Sequence, residues 1–254
     1  IGLKAIIDIC GLGGRDITMS DIVFKIGPRI NASGRMESGR ESVDLLVERD
    51  FSHALSKAKH IDCYNEQRKD IDKQMTEEAN QIVSRIDAQK HHSSIVLYDE
   101  HWKKGVIGIV ASRLTELYFR PTVVITRDGD LATGSARSVM GFDIYSAIKS
   151  CRDMLLNFGG HTYAAGLTLK WCDVPEFRNR FQHYVDEHIQ AEQTEALLRI
   201  DEVLDFKDIT KRFFSDLRRF SPFGPGNEKP MFCTKGVYDY GTSKVVGRSQ
   251  EHIK

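Results

Sequence analysis

Residues 95–126 have the sequence IVLYDEHWKKGVIGIVASRLTELYFRPTVVIT. Apolar and β-branched residues at its two ends, 95–98 and 121–126, predict two strands. Between them, apolar residues recur at helical spacing from Gly105 to Tyr118, which predicts an amphipathic helix. A strand, a helix and a second strand in this order favour a layered α/β domain, and the pattern leaves the order of the strands in the sheet open.

The alternation of strands and helices continues downstream of this stretch. Further strands are predicted at 131–137 and 165–169, and helices at 143–156 and 175–190. The run Phe158-Gly159-Gly160-His161 follows the first of these helices. Paired glycines there predict a tight turn whose backbone N–H groups are free to bind an anion. A plain helix C-cap beside a histidine is the alternative.

The part of the chain before residue 95 is dominated by one long helical pattern. Residues 53–87 contain no Gly or Pro and are heavily charged, which predicts a helix that is polar on most of its faces. Such a helix typically bridges two domains, although packing within one domain is the alternative. Residues 1–50 predict short helices around loops, with a rigid basic loop at 27–36.

A third unit is predicted from residue 198 onward. It contains a predicted helix at 209–220 and a turn cluster with the sequence PFGPGN at 222–227. Short predicted strands account for most of the rest, at 200–204, 231–233, 237–240 and 244–246. These segments are too few for a closed β domain, so we expect the domain to be cut short.

Charge, apolar runs and cysteine spacing limit the kinds of partner and compartment that fit this sequence. The 254 residues carry 36 basic and 36 acidic side chains, so a nucleic-acid partner would have to be bound by local basic patches. We find no apolar run long enough to cross a membrane and no initiator methionine, and we expect a piece of a longer cytoplasmic protein. The five cysteines form no CxxC pair, which favours idle thiols in a reducing compartment over a zinc site or disulfides.

Three runs carry groups that suit phosphate oxygens. In the run 134–138 (GSARS), Ser135, Arg137 and Ser138 offer hydroxyl and guanidinium donors at a strand end. The run 159–161 (GGH) adds Gly159, Gly160 and His161, and the run 27–36 adds Arg29, Asn31 and Arg35. Each run alone also fits an ordinary exposed strand end, helix cap or charged loop. Trp102, in a fourth run with two lysines, fits either a base-stacking ring or a core residue.

Taken together, these runs resemble the RecJ family of DHH phosphoesterases. The resemblance covers nearly the whole chain and rests on five stretches in the order of that family: RINASGR (29–35), GVIGIVASRL (105–114), GSARS (134–138), GGHTYAAGL (159–167) and PFGPGN (222–227). It implies an α/β fold in four segments. These are the C-terminal part of a DHH catalytic domain (1–50), a connector helix (51–90), a DHH-associated domain with a mixed sheet (91–195) and the start of an OB-like domain (196–254).

The resemblance also implies roles for individual residues. Arg35, Ser135 and Arg137 would lie along a DNA path or hold a 5′ phosphate, and His161 would face a catalytic metal centre. The family's Asp-His-His triplet is absent, because Lys90 precedes His91-His92. We therefore expect Mn²⁺ or Mg²⁺ in a longer parent protein and no metal ligand in this chain.

The function implied is the DNA-binding portion of a metal-dependent 5′ to 3′ exonuclease on single-stranded DNA, active in repair and recombination. The chain alone is expected to be inactive. Two alternatives remain at this point. One is a DHH phosphoesterase acting on short oligonucleotides or cyclic dinucleotides, and the other is a binding module without a hydrolytic parent, whose motif residues are structural turns.

Overall fold

The computed structural model describes residues 1–89, 92–224, 226–247 and 252–253. The chain divides into two compact units, Ile1–Ala196 and Leu197–Lys254. Within the described part, no helix is both long and apolar enough to cross a membrane.

The first unit opens with short helices. Thr18 caps the second of them in a reciprocal capping box with Asp21. The basic loop predicted at 27–36 is wrong, because this stretch is helical and continues directly from a π-helical segment. Pro28 directly follows the π segment, whose last hydrogen bond runs from Gly27 N–H to the Ile22 carbonyl oxygen, so the N–H that proline lacks falls at the junction of the two helical segments. The elements are α1 (Gly2–Ile9), α2 (Met19–Asp21), the π segment (Ile22–Ile26), α3 (Gly27–Met36) and α4 (Arg40–Leu46).

A single long helix, α5 (Phe51–Asp87), runs through the first unit. Its 37 residues correspond to about 55 Å at 1.5 Å per residue. The side chain of Asp50 caps its N-terminus by accepting from the backbone N–H of His53. The N-terminal half of α5 packs in one apolar core with α1, and its C-terminal half packs in a second core. The predicted long helix is therefore confirmed.

A five-stranded sheet follows α5, and its mixed character is as predicted, although only four of its strands were predicted. Its strand order is β1-β2-β3-β5-β4, with β1 and β2 parallel and the other pairs antiparallel. The strands are β1 (Ile95–Asp99), β2 (Thr122–Asp128), β3 (Leu131–Arg137), β4 (Leu155–His161) and β5 (Ala164–Lys170). The helices are α6 (Ile107–Tyr118), α7 (Ile144–Lys149) and α8 (Val174–His188).

Each face of the sheet is covered by different helices. On one face, α5 and α6 pack over β1 and β2 through Leu97, Val124 and Trp102. Trp102 is 5% exposed and donates its indole N–H to Glu78, so it is a core residue. On the other face, α7 and α8 form a core with β3 and β5 that includes Phe181.

Two predictions near β4 are wrong. The helix predicted to reach Leu156 ends at Lys149, and Gly159-Gly160-His161 lies in a strand, not in a turn after a helix. Residues 155–161 form a strand because their backbone N–H and C=O groups pair with β5, which lies later in the sequence. The strand is locally irregular between Leu155 and Asn157.

The second unit contains short elements. The strand predicted at 237–240 is wrong, because this stretch has no regular structure. The ring of Phe213 contacts that of Phe232 edge-on at 5.4 Å between centroids. Pro225 of the predicted 222–227 turn lies outside the described residues. The elements are β6 (Glu202–Val203), α9 (Lys211–Arg218), β7 (Phe232–Cys233), β8 (Val245–Val246) and β9 (His252–Ile253).

Candidate nucleic-acid interface

Three adjacent strands present small and polar side chains on one face. Arg137 pairs with Ala164, which also pairs with His161, and directly paired residues point to the same side of a sheet. With about 4.8 Å between strands, the backbones of Arg137 and His161 are about 10 Å apart. Two further rows of directly paired residues, Ser135–Gly166–Gly159 and Thr133–Thr168–Asn157, extend this surface. We call it the open face, and it consists of Thr133, Ser135, Arg137, Asn157, Gly159, His161, Ala164, Gly166 and Thr168.

Arg137 is held in place by three hydrogen bonds. Its Nε donates to Ser112 Oγ (3.1 Å), and its Nη1 donates to Ser135 Oγ (3.1 Å) and to the Ala136 carbonyl oxygen (2.7 Å). Within the described part of the chain, no acceptor is bonded to Nη2. Burial, and then the charge of Arg35, lower the pKa of Arg137. The guanidinium is thus fixed, partly desolvated and able to bind a further acceptor.

Arg35 reaches this site from helix α3. Its Nη1 donates to the carbonyl oxygen of Gly105 at 3.1 Å. A Cβ added to Gly105 would lie 1.9 Å from the backbone oxygen of Arg35, so this close approach requires glycine. The contact places the exposed Arg35 next to the loop that leads into α6.

The N-terminus of helix α6 lies beside Ser135 and Arg137. A Cβ on Gly108 would meet Ser135 Oγ at 2.9 Å and Arg137 Nη2 at 3.2 Å. Helix N-termini carry partial positive charge, which favours anions, although the N–H groups of Ile107 and Ile109 already donate to the carbonyl oxygens of Lys103 and Val106. A guanidinium, a hydroxyl and a helix N-terminus therefore converge at one edge of the open face.

His161 marks the opposite edge of the open face and is exposed to solvent. Its Nδ1 accepts from the backbone N–H groups of Tyr163 and Ala164, both at 3.2 Å. This arrangement places the proton of the neutral ring on Nε2, which can donate to a phosphate oxygen. Gly159, which pairs with Gly166, keeps the floor beside His161 free of side chains, whereas Gly160 pairs with the buried Ala165 and points to the other face of the sheet.

The other predicted residues are engaged elsewhere. Arg29 forms an ion pair with Asp62 of α5 at 2.7 Å and donates to the Lys25 carbonyl oxygen, so it ties α3 to α5. Asn31 is exposed on α3. Ser138 donates its hydroxyl to the Phe142 carbonyl oxygen at 2.7 Å, within the loop after β3. The geometry groups Arg35, Ser135, Arg137, Gly159 and His161, and leaves Arg29, Asn31, Ser138 and Gly160 outside that group.

Sequence reasoning missed several polar residues of the site. Thr133, Thr168 and Asn157 form the third row of the open face, and knowledge of the β3–β5–β4 pairing would have identified them. Arg68 and Asp72 of α5 were also missed, although their spacing of four residues on a helix predicts an ion pair.

The described residues do not fit a catalytic metal centre. No group of three or more His, Cys, Asp or Glu side chains among them is arranged to hold a metal ion. His91, one of the two adjacent histidines, lies outside the described residues. We therefore derive no metal-dependent step from this chain.

Two family models match the sequence: the DHHA1 domain over residues 77–187 and the RecJ OB domain over residues 200–254. The single-stranded-DNA-specific exonuclease RecJ of Bacillus subtilis (strain 168) is 34% identical over 256 residues, covering 100% of this chain and 32% of that protein. The protein of the same name from Escherichia coli (strain K12) is 29% identical over 260 residues, covering 100% and 44%.

The chain belongs to the RecJ family. Crystal structures of RecJ from Thermus thermophilus share its fold. The structure in complex with Mn²⁺ has a TM-score of 0.84 at 26% identity over 97% of this chain and 36% of that chain. The complex with Mg²⁺ has a TM-score of 0.79 at 27% identity over 91% and 35%. The chain thus spans less than half the length of these RecJ proteins.

Proposed function

We propose that this chain is the strand-holding part of a RecJ-type exonuclease that degrades single-stranded DNA from its 5′ end. The observation that carries the proposal is the row Arg137–Ala164–His161 with Ser135 beside it, flanked by Arg35. Guanidinium, hydroxyl and imidazole donors over a glycine-rich floor suit the phosphate of a strand end. Contacts to phosphate carry no sequence information, so we expect this row to confer little sequence preference.

The match to a RecJ OB domain favours a strand over a small nucleotide as the substrate. OB folds bind single strands along a groove, whereas a phosphoesterase for short oligonucleotides needs no extended path. It also favours the nuclease over a module whose motif residues are only structural turns. We propose that the parent acts in DNA repair and recombination in the cytoplasm, with single-stranded DNA as its partner.

Hydrolysis in this proposal needs Mn²⁺ or Mg²⁺ held by residues outside those described. Two-metal hydrolysis uses carboxylate and imidazole ligands, and the described residues lack such a cluster. We therefore propose that residues 1–254 bind DNA without cleaving it.

The test is a binding titration of the chain with a fluorescent 5′-phosphorylated oligothymidylate at several salt concentrations. Arg137→Ala is expected to weaken binding about tenfold or more, because a charge-assisted contact to phosphate is lost. The slope of log K against log salt should flatten by about 0.7, the value for one phosphate on a single strand. Adding Mn²⁺ should leave the oligonucleotide intact.

Arg85→Ala is the matched control, since it removes one exposed positive charge from α5 near its C-terminal end. Equal losses in Arg137→Ala and Arg85→Ala would show a general charge effect and contradict the site. Cleavage that depends on Mn²⁺ and disappears in Arg137→Ala would contradict the proposal that the chain is inactive.

A further inference from the structure

The middle of helix α5 is buried through polar residues. Asn65 and Asp72 are each 1% exposed, and the side chain of Arg68 is 13% exposed. The three residues lie three and four positions apart, which puts them on one face of the helix. They separate the apolar core around Ile61 from the one around Met75. Buried polar side chains need hydrogen-bonding or charged partners. Here Asn65 and Asp72 contact Arg68, and Asp72 also contacts Arg113.

Asp72 fixes two guanidinium groups. Its Oδ2 lies 2.7 Å from Nη2 of Arg113 on α6 and 3.6 Å from Nη1 of Arg68. Arg68 also donates from Nη2 to Asn65 Oδ1 at 3.0 Å. The side chain of Arg113 is 52% exposed, so one edge of its guanidinium is anchored while the rest faces solvent. A half-exposed, pre-oriented arginine is suited to binding an anion.

Positive charge exceeds negative charge around Asp72. Burial, and then the charges of Arg35 and Arg113, lower the pKa of Arg68, while Asp72 raises it. Glu66 is also near Arg68, but its carboxylate pairs with Lys69 at 2.7 Å. The charge of Arg35 also lowers the pKa of Arg137, so Arg35 acts on both guanidinium groups. The members of this arginine cluster are Arg35, Arg68, Arg113 and Arg137, and Asp72 is the buried carboxylate among them.

The arginine cluster adjoins the open face through helix α6. Ser112 accepts a hydrogen bond from Arg137 Nε, and Arg113 is the next residue on α6. We propose that Arg113, anchored by Asp72 and backed by Arg68, binds a second backbone phosphate of the strand whose terminal phosphate lies at Ser135 and Arg137. This inference rests on the proposed function. It assigns α5 a role in positioning the DNA-binding arginine in addition to spanning the two cores.

The two sites predict different responses to ligands with one and with several phosphates. Thymidine 5′-monophosphate carries only the first phosphate, and a 5′-phosphorylated oligothymidylate carries both. Arg113→Ala should weaken oligothymidylate binding about tenfold and flatten its salt slope by about 0.7, while thymidine monophosphate binds as before. Arg137→Ala should weaken binding of both ligands. Arg85→Ala should change neither by a comparable amount.

Stability is measured alongside binding by thermal unfolding of each variant. If Arg113→Ala fails to fold, Arg113→Met keeps the aliphatic stem of the side chain and removes the charge, and the same loss is expected. Asp72 then retains Arg68 as its partner.

The outcomes separate this inference from the proposed function. Wild-type chain that binds neither ligand contradicts the proposed function itself. Normal oligothymidylate binding by a folded Arg113 variant, with weak binding by Arg137→Ala, leaves the function standing and shows that the Arg113–Asp72 pair is only structural. An Arg113 variant that loses thymidine monophosphate as well would place Arg113 at the first phosphate and overturn the second site.

Discussion

At the scale of single residues, a substitution at Gly108 is expected to weaken DNA binding without lowering stability. A methyl group at this position would crowd Ser135 Oγ at 2.9 Å and Arg137 Nη2 at 3.2 Å, both of them side-chain atoms that can shift. Alanine also favours a helix over glycine by up to about 1 kcal/mol. Gly108→Ala is therefore expected to unfold at the wild-type temperature or above it, yet to bind 5′-phosphorylated oligothymidylate several-fold more weakly.

Gly105→Ala provides the contrast to Gly108→Ala. The added methyl group would meet the backbone oxygen of Arg35 at 1.9 Å, and the backbone of α3 would have to move. We expect this variant to lose stability as well as binding. A Gly108→Ala protein with wild-type affinity would show that phosphate does not bind between α6 and β3.

At the scale of elements, the β4–β5 hairpin depends on one of its two adjacent glycines. Gly160 has a φ of +149°, and a Cβ there would lie 2.3 Å from the carbonyl oxygen of Ala164. A Cβ added to Gly159 would meet no atom within 4 Å beyond its chain neighbours. Gly160→Ala is expected to lower the free energy of unfolding by about 2 kcal/mol or more through strain and steric conflict.

Gly159→Ala is the matched control for this hairpin and should unfold within about 0.5 kcal/mol of wild type, in the range of an ordinary surface substitution. Urea unfolding of both variants, followed by circular dichroism, makes the comparison. Equal stabilities would mean that Gly160 is not constrained by its pairing with Ala165.

Elements whose signals are local could be predicted from the sequence. Helix α5 has neither Gly nor Pro in its 37 residues, and its predicted start lies two residues from the observed one. Strand β3 was predicted with its observed bounds, 131–137. Neither element needs a distant partner to be recognised.

Elements whose structure depends on distant partners could not be predicted. Strand β4 forms by pairing with β5, and its two glycines alone indicate a turn. Pro28 indicates a loop, yet it is accommodated where the π segment passes into α3. The site shares this limit. Individual candidates for phosphate binding such as Arg137 can be proposed from the sequence. Their alignment with His161 follows from the strand register, and the Arg113–Asp72 pair follows from the packing of α6 on α5.

At the scale of the whole molecule, the candidate site draws on segments far apart in sequence. Arg35 comes from α3, Arg68 from the middle of α5, Arg113 from α6 and Arg137 from β3. All of these elements belong to the unit Ile1–Ala196. The arginine cluster lies at the junction of two apolar cores, so its geometry depends on both cores being folded.

This dependence leads to a prediction for the chain cut after Ala196. The three apolar cores found among the described residues lie within 1–196, so the shortened chain keeps the apolar contacts that stabilise its helices and sheet. We expect residues 1–196 to unfold cooperatively at nearly the temperature of the first unit in the full chain. They should still bind thymidine monophosphate, because the arginine cluster and the open face are retained.

Affinity for a longer oligothymidylate should fall, since the stretch matched by the RecJ OB domain is removed. An unfolded or aggregated 1–196 protein would show that the first unit needs the second for its stability, and unchanged affinity for the long oligothymidylate would show that the second unit adds no contact to the strand.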